Sequence, residues 1–282
     1  MGGYAGAGRW LQRLKAFGFR RVTFHPTYAV QDQEVPLIDT ASAPEIAEAF
    51  SAARELGFHI TLEPHLDWLT TLQGGPYEWR RRMRVRPLAQ YFDDVLAPLA
   101  SLRPDVLTLG SELDASTIEF TDEWAGLISL LPETALGHKL NHDVKLGRLK
   151  EYLRQLNQVA FSFYPPNGDF ERLARNLFKE VGPFGIGEVG LGSIDVKRPW
   201  HFDASTFRSP GNLAIRTSYY ANFLEWFANQ PYATSATFWT AGHFDILGVM
   251  AEEWADATIV ESVVQAAAGD AIEAVPDTRS IT

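Results

Sequence analysis

The stretch PLAQYFDDVLAPLASLRPDVLTLGSEL, residues 87–113, holds the pattern that decides the fold. Residues 87–102 carry apolar side chains three and four positions apart, which predicts an amphipathic helix. The β-rich run 106–109 predicts a buried strand, which leads into Gly110, Ser111 and Glu112. A helix that passes through a short loop into a buried strand is a unit of an α/β protein with a parallel sheet.

The same unit recurs on both sides of this stretch. The predicted strands are residues 21–25, 59–63, 106–109, 134–139, 159–164, 184–189 and 236–239. The predicted helices are residues 8–17, 43–56, 87–102, 121–131, 145–155, 170–181 and 214–229. Strands and helices that alternate at this spacing predict the α/β fold class and a (β/α)8 TIM barrel. Because the first helix precedes the first clear strand, strand one of the barrel is expected to be short or missing.

The composition is that of a large globular domain. The chain has 282 residues, of which 46% are apolar and 21% charged, enough to bury a sizeable core. Closed α/β barrels reach this length as one unit, so we expect one barrel domain over residues 1–270 and a polar tail over 271–282. The basic run 80–86 (RRRMRVR) is interpreted as a solvated loop or the start of a helix.

Charge and composition exclude several classes of partner. A formal net charge of −10 repels phosphate backbones, so no nucleic acid is expected as a partner. The absence of cysteine excludes disulfides, thiolate metal sites and cysteine nucleophiles. No run reaches the ~18 apolar residues of a membrane span, and no signal-peptide core follows Met1. No membrane partner and a cytoplasmic location are therefore expected, unless the N-terminus was trimmed from an exported protein.

Reactive side chains stand where the predicted strands end, and in a barrel these ends form the active site. Glu112 follows the predicted strand 106–109 and Glu188 lies at the end of the predicted strand 184–189, and these strands would be the fourth and seventh of the barrel if strand one is missing. Hydrolysis of a glycosidic bond uses such a pair. One carboxyl protonates the departing oxygen, and the other attacks the anomeric carbon or activates water. We therefore expect a glycosidase with Glu112 and Glu188 as its catalytic residues.

Several motifs resemble clan A glycoside hydrolases, and family 113, the β-mannanase-type barrels, in particular. The motifs are EPHLD at 63–67 with EWR at 78–80, LGSEL at 109–113, Asn141, SFY at 162–164, GEVG at 187–190 with Ser193 and RPW at 198–200, and FW at 238–239. By this resemblance Glu112 is the general acid/base and Glu188 the nucleophile of a retaining double displacement. The substrate implied is a β-linked polysaccharide or oligosaccharide, with β-mannan as the leading candidate.

Further residues are expected to bind the sugar. Tyr164 is expected to hydrogen-bond Glu188, and Trp239 to floor the subsite beside the cleaved bond, because a planar ring matches the C–H face of a pyranose. His65, Asp67, Trp79, Arg80 and Asn141 are expected to reach sugar hydroxyls from neighbouring loops, and Trp200 is expected to wall a further subsite. One departure from the clan is Ser111, which precedes the acid/base where many members have an asparagine that contacts the sugar 2-hydroxyl.

Two other functions fit the same residues. A non-catalytic carbohydrate-binding barrel is one alternative, because strand one is missing and the residue before the acid/base departs from the clan. A metal-dependent hydrolase is the second, since potential ligands fall near the strand ends, namely His25, His65, His142, Asp67 and Asp143. The His-X-His pair usual on the first strand of such barrels is absent, so no metal and no cofactor are expected.

Overall fold

The computed structural model describes residues 7–16, 18–31, 38–39, 46–72, 80–165, 169–190, 210–238 and 280–281. The chain divides into two compact units. The first comprises Met1–Leu11 and Arg20–Phe161, and the second comprises Gln12–Phe19 and Ser162–Thr282. Within the described residues, no helix is long and apolar enough to cross a bilayer.

The first unit contains most of the secondary structure. Its helices are α1 (Ala7–Ala16, which continues into the second unit), α2 (Ala47–Glu55), α3 (Leu69–Leu72), α4 (Leu88–Tyr91), α5 (Ala97–Ser101), α6 (Asp114–Glu119), α7 (Thr121–Leu130) and α8 (Leu149–Leu153). A 3-10 turn forms at Arg80–Arg82, and a π-helical segment, Phe92–Leu96, joins α4 to α5. Its strands are β1 (Arg21–Phe24), β2 (Thr27–Val30), β3 (Ile38–Asp39), β4 (His59–Leu62), β5 (His65–Trp68), β6 (Val106–Ser111), β7 (Leu136–Asn141) and β8 (Gln158–Ser162).

The main sheet of the first unit places polar strand ends side by side. Its strands follow the order β1, β4, β6, β7 and β8, and the pairs β1–β4, β4–β6 and β6–β7 are parallel. All residues of β6 are buried, as expected for an apolar strand of a parallel sheet. Because the strands are parallel, their carboxyl ends meet at one edge of the sheet.

The second unit repeats the helix-to-strand pattern. It contains α9 (Phe170–Val181), β9 (Phe184–Val189), α10 (Pro210–Asn229), β10 (Ala233–Phe238) and β11 (Ser280–Ile281). Both β9 and β11 pair in parallel with β10. Helix α9 buries Phe170, Ala174 and Leu177, three residues on one face of a helix with 3.6 residues per turn. Gly182 follows the last residue of the helix and caps it with a φ of 77°, which suits a residue without a side chain.

The alternation of parallel strands and helices confirms the predicted (β/α)8-barrel fold class. Within the described residues, which begin at Ala7, no strand precedes α1. The prediction for 145–155 was too long, because residues 142–148 form turns and only Leu149–Leu153 is helical. The predicted strand 134–139 is displaced to Leu136–Asn141.

A small second sheet in the first unit was not predicted. Strand β2 pairs antiparallel with β3 and parallel with β5. The residues expected to reach a sugar from loops, His65 and Asp67, therefore lie on strand β5. These strands have two to four residues, too few to show an alternation that distinguishes a strand from a loop.

A buried polar cluster packs behind β6 and β7. His138 Nδ1 lies 2.8 Å from the hydroxyl of Tyr152, and its Nε2 lies 3.0 Å from Oγ1 of Thr117. Burial lowers the pKa of His138 to about 3, so the ring is neutral and uses one nitrogen as donor and the other as acceptor. A Cβ atom on Gly110 would lie 2.7 Å from Cε1 of His138. Glycine is therefore required where β6 passes this ring.

Candidate active site

A buried carboxylate organises the polar strand ends of the first unit. Glu63, which follows β4, is 3% exposed. Its Oε1 accepts a hydrogen bond from Ser111 Oγ at 3.0 Å and forms an ion pair with Lys139 Nζ. The same oxygen lies 3.0 Å from Nε2 of His65 and 3.2 Å from Nδ1 of His25. Side chains from four neighbouring segments thus converge on one oxygen atom.

The charges of this cluster balance. Burial by itself would raise the pKa of Glu63, but the positive charge of Lys139 and the contacts with the two histidine rings lower it well below its usual value. Burial also lowers the pKa of His65 well below its usual value, and the nearby guanidinium of Arg80 acts in the same direction. We therefore assign Glu63 as a carboxylate, which Lys139 balances, and His65 as a neutral imidazole.

The two histidines of the cluster are hydrogen-bonded to each other. His25 Nδ1 and His65 Nε2 are 2.7 Å apart, so one of these nitrogens carries a hydrogen and the other accepts it. The two rings meet edge to face with their centres 4.4 Å apart. The side chain of His25 is 27% exposed, whereas that of His65 is 9% exposed. His25 is therefore the more solvent-exposed of the two histidines.

Glu112 stands at the end of β6 in an unusual backbone conformation. Its φ is 56°, in the left-handed region that residues with a side chain seldom adopt. Its backbone N–H donates to the carbonyl of Lys139 at 2.9 Å. Its carboxyl oxygen Oε2 lies 4.0 Å from Nε of Arg80, which also forms a 3.0 Å ion pair with Asp67. Strained backbone of this kind concentrates at functional sites.

A second acidic group lies beside Glu112. Asp114, in the first turn of α6, accepts hydrogen bonds from the backbone N–H and the side-chain amide of Asn141, at 3.2 and 3.1 Å. Arg81 lies 3.3 Å from the same carboxylate and also pairs with Asp143 at 2.9 Å. Burial raises the pKa of Asp114 to about 6 even though Asn141 and Arg81 oppose the shift. Asp114 thus orients the amide of Asn141.

In the second unit, Glu188 is held by a tyrosine. Glu188 is the second-last residue of the buried strand β9 and is 4% exposed. The hydroxyl of Tyr164 donates to its Oε2 at 2.9 Å, as the sequence predicted. The backbone N–H of Phe163 donates to the carbonyl of Glu188 at 2.7 Å. The side chain and the main chain of Glu188 are therefore both fixed by the segment that follows β8.

The basic run 80–86 is not a free positive surface. Its outer arginines form ion pairs with α6 and α7, Arg84 with Glu119 and Arg86 with Glu123. The apolar residues of the run are buried. The interpretation as a solvated loop is therefore wrong in part, because apolar residues that alternate with arginines anchor the segment to the core.

The structure groups most of the residues that the sequence proposed. His65, Asp67, Arg80 and Asn141 lie with or next to Glu63 and Glu112 in the first unit, and Tyr164 lies with Glu188 in the second. Trp79, Trp200 and Trp239 lie outside the described residues.

Sequence reasoning missed the roles of Glu63 and Lys139. Both are charged residues at the end of a predicted strand, and that position was the available signal. A charged side chain in such a place is seldom fully buried unless it has a partner.

Comparison with known protein structures identifies the fold class of the chain. The chain shares its fold with (β/α)8-barrel glycoside hydrolases of families 113 and 5 in clan A. No protein-family model and no curated protein sequence matches the chain. The likeness is therefore one of structure.

Within that class, family 113 gives several strong matches. A family 113 β-1,4-mannanase superposes with a TM-score of 0.67 at 15% identity, over 92% of both chains. The family 113 β-mannanase AaManA from Alicyclobacillus acidocaldarius, in complex with ManMIm, gives a TM-score of 0.65 at 17% identity, over 92% of this chain and 91% of that one. A family 5 enzyme from Prevotella bryantii, in complex with a xyloglucan tetradecasaccharide, gives 0.57 at 10% identity, over 92% and 86%. The family resemblance read from the motifs is confirmed at the level of the fold.

Proposed function

We propose that this protein is a glycoside hydrolase that cleaves a β-linked polysaccharide or oligosaccharide, with β-mannan as the leading substrate. One observation carries the proposal: in a (β/α)8 fold, two buried parallel strands, β6 and β9, bring a glutamate to the strand end, Glu112 after the first and Glu188 in the second. The structural likeness to family 113 β-mannanases supports both the reaction class and the substrate.

In the proposed reaction Glu112 is the general acid/base and Glu188 the nucleophile. The carboxylate of Glu188 forms a bond to the anomeric carbon while the glycosidic C–O bond breaks, and the carboxyl of Glu112 gives its proton to the departing oxygen. In the second step Glu112 takes a proton from water, which attacks the anomeric carbon and releases Glu188. The anomeric configuration is retained, because it inverts twice.

The contacts of each glutamate suit these roles. The hydrogen bond from Tyr164 fixes the orientation of the Glu188 carboxylate, and a fixed orientation lowers the entropic cost of attack. Glu112 keeps its side chain 16% exposed, as a group that must exchange protons with substrate and water requires.

Covalent trapping tests the assignment directly. A panel of 2-fluoro glycosides with good leaving groups, including the mannoside, slows release of the glycosyl-enzyme, and peptide mass spectrometry then finds the labelled residue. We expect label on Glu188 from the mannoside. Label on any other residue would overturn the assignment of the nucleophile.

Substitution of the two glutamates supplies the second test. Glu188→Gln and Glu112→Gln are each expected to lower reducing-sugar release from β-mannan by at least ~1000-fold. Glu119→Gln, an exposed glutamate on α6 that pairs with Arg84, is the matched control and should retain activity. Binding of the polymer by the wild-type protein without sugar release would support a non-catalytic carbohydrate-binding barrel instead.

One observation favours a metal-dependent hydrolase as a second candidate. His25, Glu63 and His65 bring potential ligand atoms close enough together for one ion. Their chemistry does not fit this role, because the ammonium of Lys139 already sits on Glu63 Oε1 and the two histidine nitrogens are engaged with each other. Full activity after exhaustive treatment with a chelator is expected, and its loss and recovery on adding a divalent metal would favour the metal enzyme.

A further inference from the structure

Ser111 directs its hydroxyl into the protein. The residue is 0% exposed, and its Oγ donates to Oε1 of Glu63 at 3.0 Å. Because the side chain has no exposed surface and its proton is already donated to a carboxylate, a sugar hydroxyl does not reach it. Ser111 therefore requires another explanation than contact with substrate.

The Glu63–Lys139 ion pair is also connected to Glu112 through the main chain of Lys139. Lys139 pairs with Glu63 through its ammonium, and its backbone carbonyl accepts the N–H of Glu112 at 2.9 Å. Two connections thus converge on the end of β6: one through the side chain of Ser111 and one through the main chain of Lys139. Both depend on the placement of Glu63 and Lys139, whose side chains are 4% and 0% exposed.

The backbone of Glu112 requires such support. A left-handed φ of 56° in a residue with a side chain persists only where the surroundings enforce it. A hydrogen bond from the side chain of the preceding residue and another from its own N–H hold the peptide unit that leads into the Cα atom of Glu112, and so restrict rotation about φ. They thereby fix the direction in which the side chain of Glu112 leaves the strand.

We propose that the buried Glu63–Lys139 ion pair, linked to β6 through the hydroxyl of Ser111, positions Glu112 for proton transfer to the leaving group. This inference rests on the proposed role of Glu112 as general acid/base. Glu63, Lys139 and Ser111 are positioning residues, since they act through Glu112 and not on the substrate.

Leaving-group dependence separates this role from general support of the fold. A sugar leaves as a strongly basic alkoxide unless it receives a proton, whereas dinitrophenolate leaves readily without one. A displaced Glu112 therefore slows hydrolysis of glycosides with poor leaving groups and spares formation of the glycosyl-enzyme from a dinitrophenyl glycoside. The second step, which needs a base, is restored by azide, because this anion attacks the anomeric carbon without deprotonation.

The experiment compares Ser111→Ala with the wild-type protein on oligosaccharide, nitrophenyl and dinitrophenyl glycosides of the sugar that the trapping panel identifies. We expect kcat/KM to fall about tenfold on the oligosaccharide, as for the loss of one buried hydrogen bond, and less than about twofold on the dinitrophenyl glycoside. Azide should raise the turnover of the variant and yield the glycosyl azide.

Ser116→Ala is the matched control. Ser116 is also a fully buried serine, but its Oγ accepts hydrogen bonds from the backbone N–H of Val85 and from Nε1 of Trp124, away from Glu63. It should lower stability without creating a dependence on the leaving group. Circular dichroism and Tm should show that both variants are folded.

The outcomes separate the two hypotheses. A loss in Ser111→Ala that is equal across all leaving groups, or the same pattern in Ser116→Ala, would overturn the positioning role while the wild-type protein remains a glycosidase. A wild-type protein that hydrolyses none of the glycosides and takes no fluoro-sugar label would instead overturn the proposed function.

Discussion

Removing the ammonium from the buried ion pair should change how the stability of the protein depends on pH. In the wild-type protein the side chains of Lys139 and Glu63 are at most 4% exposed. Lys139→Met keeps the length of the side chain and leaves the carboxylate of Glu63 buried without its counter-ion. Loss of one partner of a buried pair costs about 3–5 kcal/mol, and we expect about 3 kcal/mol because Ser111 still donates to Glu63. The double variant Glu63→Gln/Lys139→Met should recover much of this loss, since it leaves no buried charge.

The sign of the pH dependence should reverse in the single variant. In the wild-type protein the folded pKa of Glu63 lies below its unfolded value, so its contribution is present at neutral pH and is lost only as the pH falls through the folded pKa. Without Lys139, burial dominates and raises the folded pKa of Glu63 above the unfolded value. The stability of the variant should then decrease as the pH rises above about 4.5.

Urea unfolding followed by circular dichroism between pH 4.5 and pH 8 measures both effects. We expect the free energy of unfolding of Lys139→Met, relative to that of the double variant, to fall with rising pH over this range. A single variant as stable as the wild-type protein, with the same pH dependence, would refute the assignment of Glu63 as a charged buried group that Lys139 stabilises.

Three further predictions concern other parts of the molecule. Gly110→Ala should lower the free energy of unfolding by about 1–3 kcal/mol and lower Tm, because its Cβ would lie 2.7 Å from Cε1 of His138; an unchanged Tm would show that β6 or the ring moves aside. Asp114→Asn should remove a loss of stability that the wild-type protein shows as the pH rises from about 4 to about 6, because burial raises the folded pKa of Asp114 to about 6; urea titrations at several pH values check this, and parallel curves for the two proteins would contradict it. Tyr164→Phe should lower kcat about tenfold with little change in KM, since it removes the 2.9 Å hydrogen bond that orients Glu188; a change in KM alone would assign Tyr164 to substrate binding instead.

The proposed catalytic glutamates were accessible from sequence because each follows a continuous apolar run. Such a run predicts a buried parallel strand, and the carboxyl end of that strand is where barrels place their chemistry. The same logic reached Tyr164, whose hydrogen bond to Glu188 the structure contains. It did not reach the left-handed backbone of Glu112, because φ at a single residue leaves no trace in hydrophobic periodicity.

The small sheet was missed for a related reason. Strands β2, β3 and β5 are held by pairing between short segments that lie far apart in the chain, so local patterns did not distinguish them from loops. His65 and Asp67 were therefore proposed as loop residues that reach a sugar. In the structure His65 is engaged with Glu63 and His25, and Asp67 with Arg80.

The amino-acid sequence by itself determined the class of fold, the position of most helices and strands, and the two glutamates at strand ends, because each of these follows from hydrophobic spacing over a few neighbouring residues. The tertiary structure alone decided that Glu63 would gather Lys139 and Ser111 around one buried oxygen atom. Such contacts depend on strand order and register between distant segments. Their strength depends on the removal of water around them, which no local sequence pattern records.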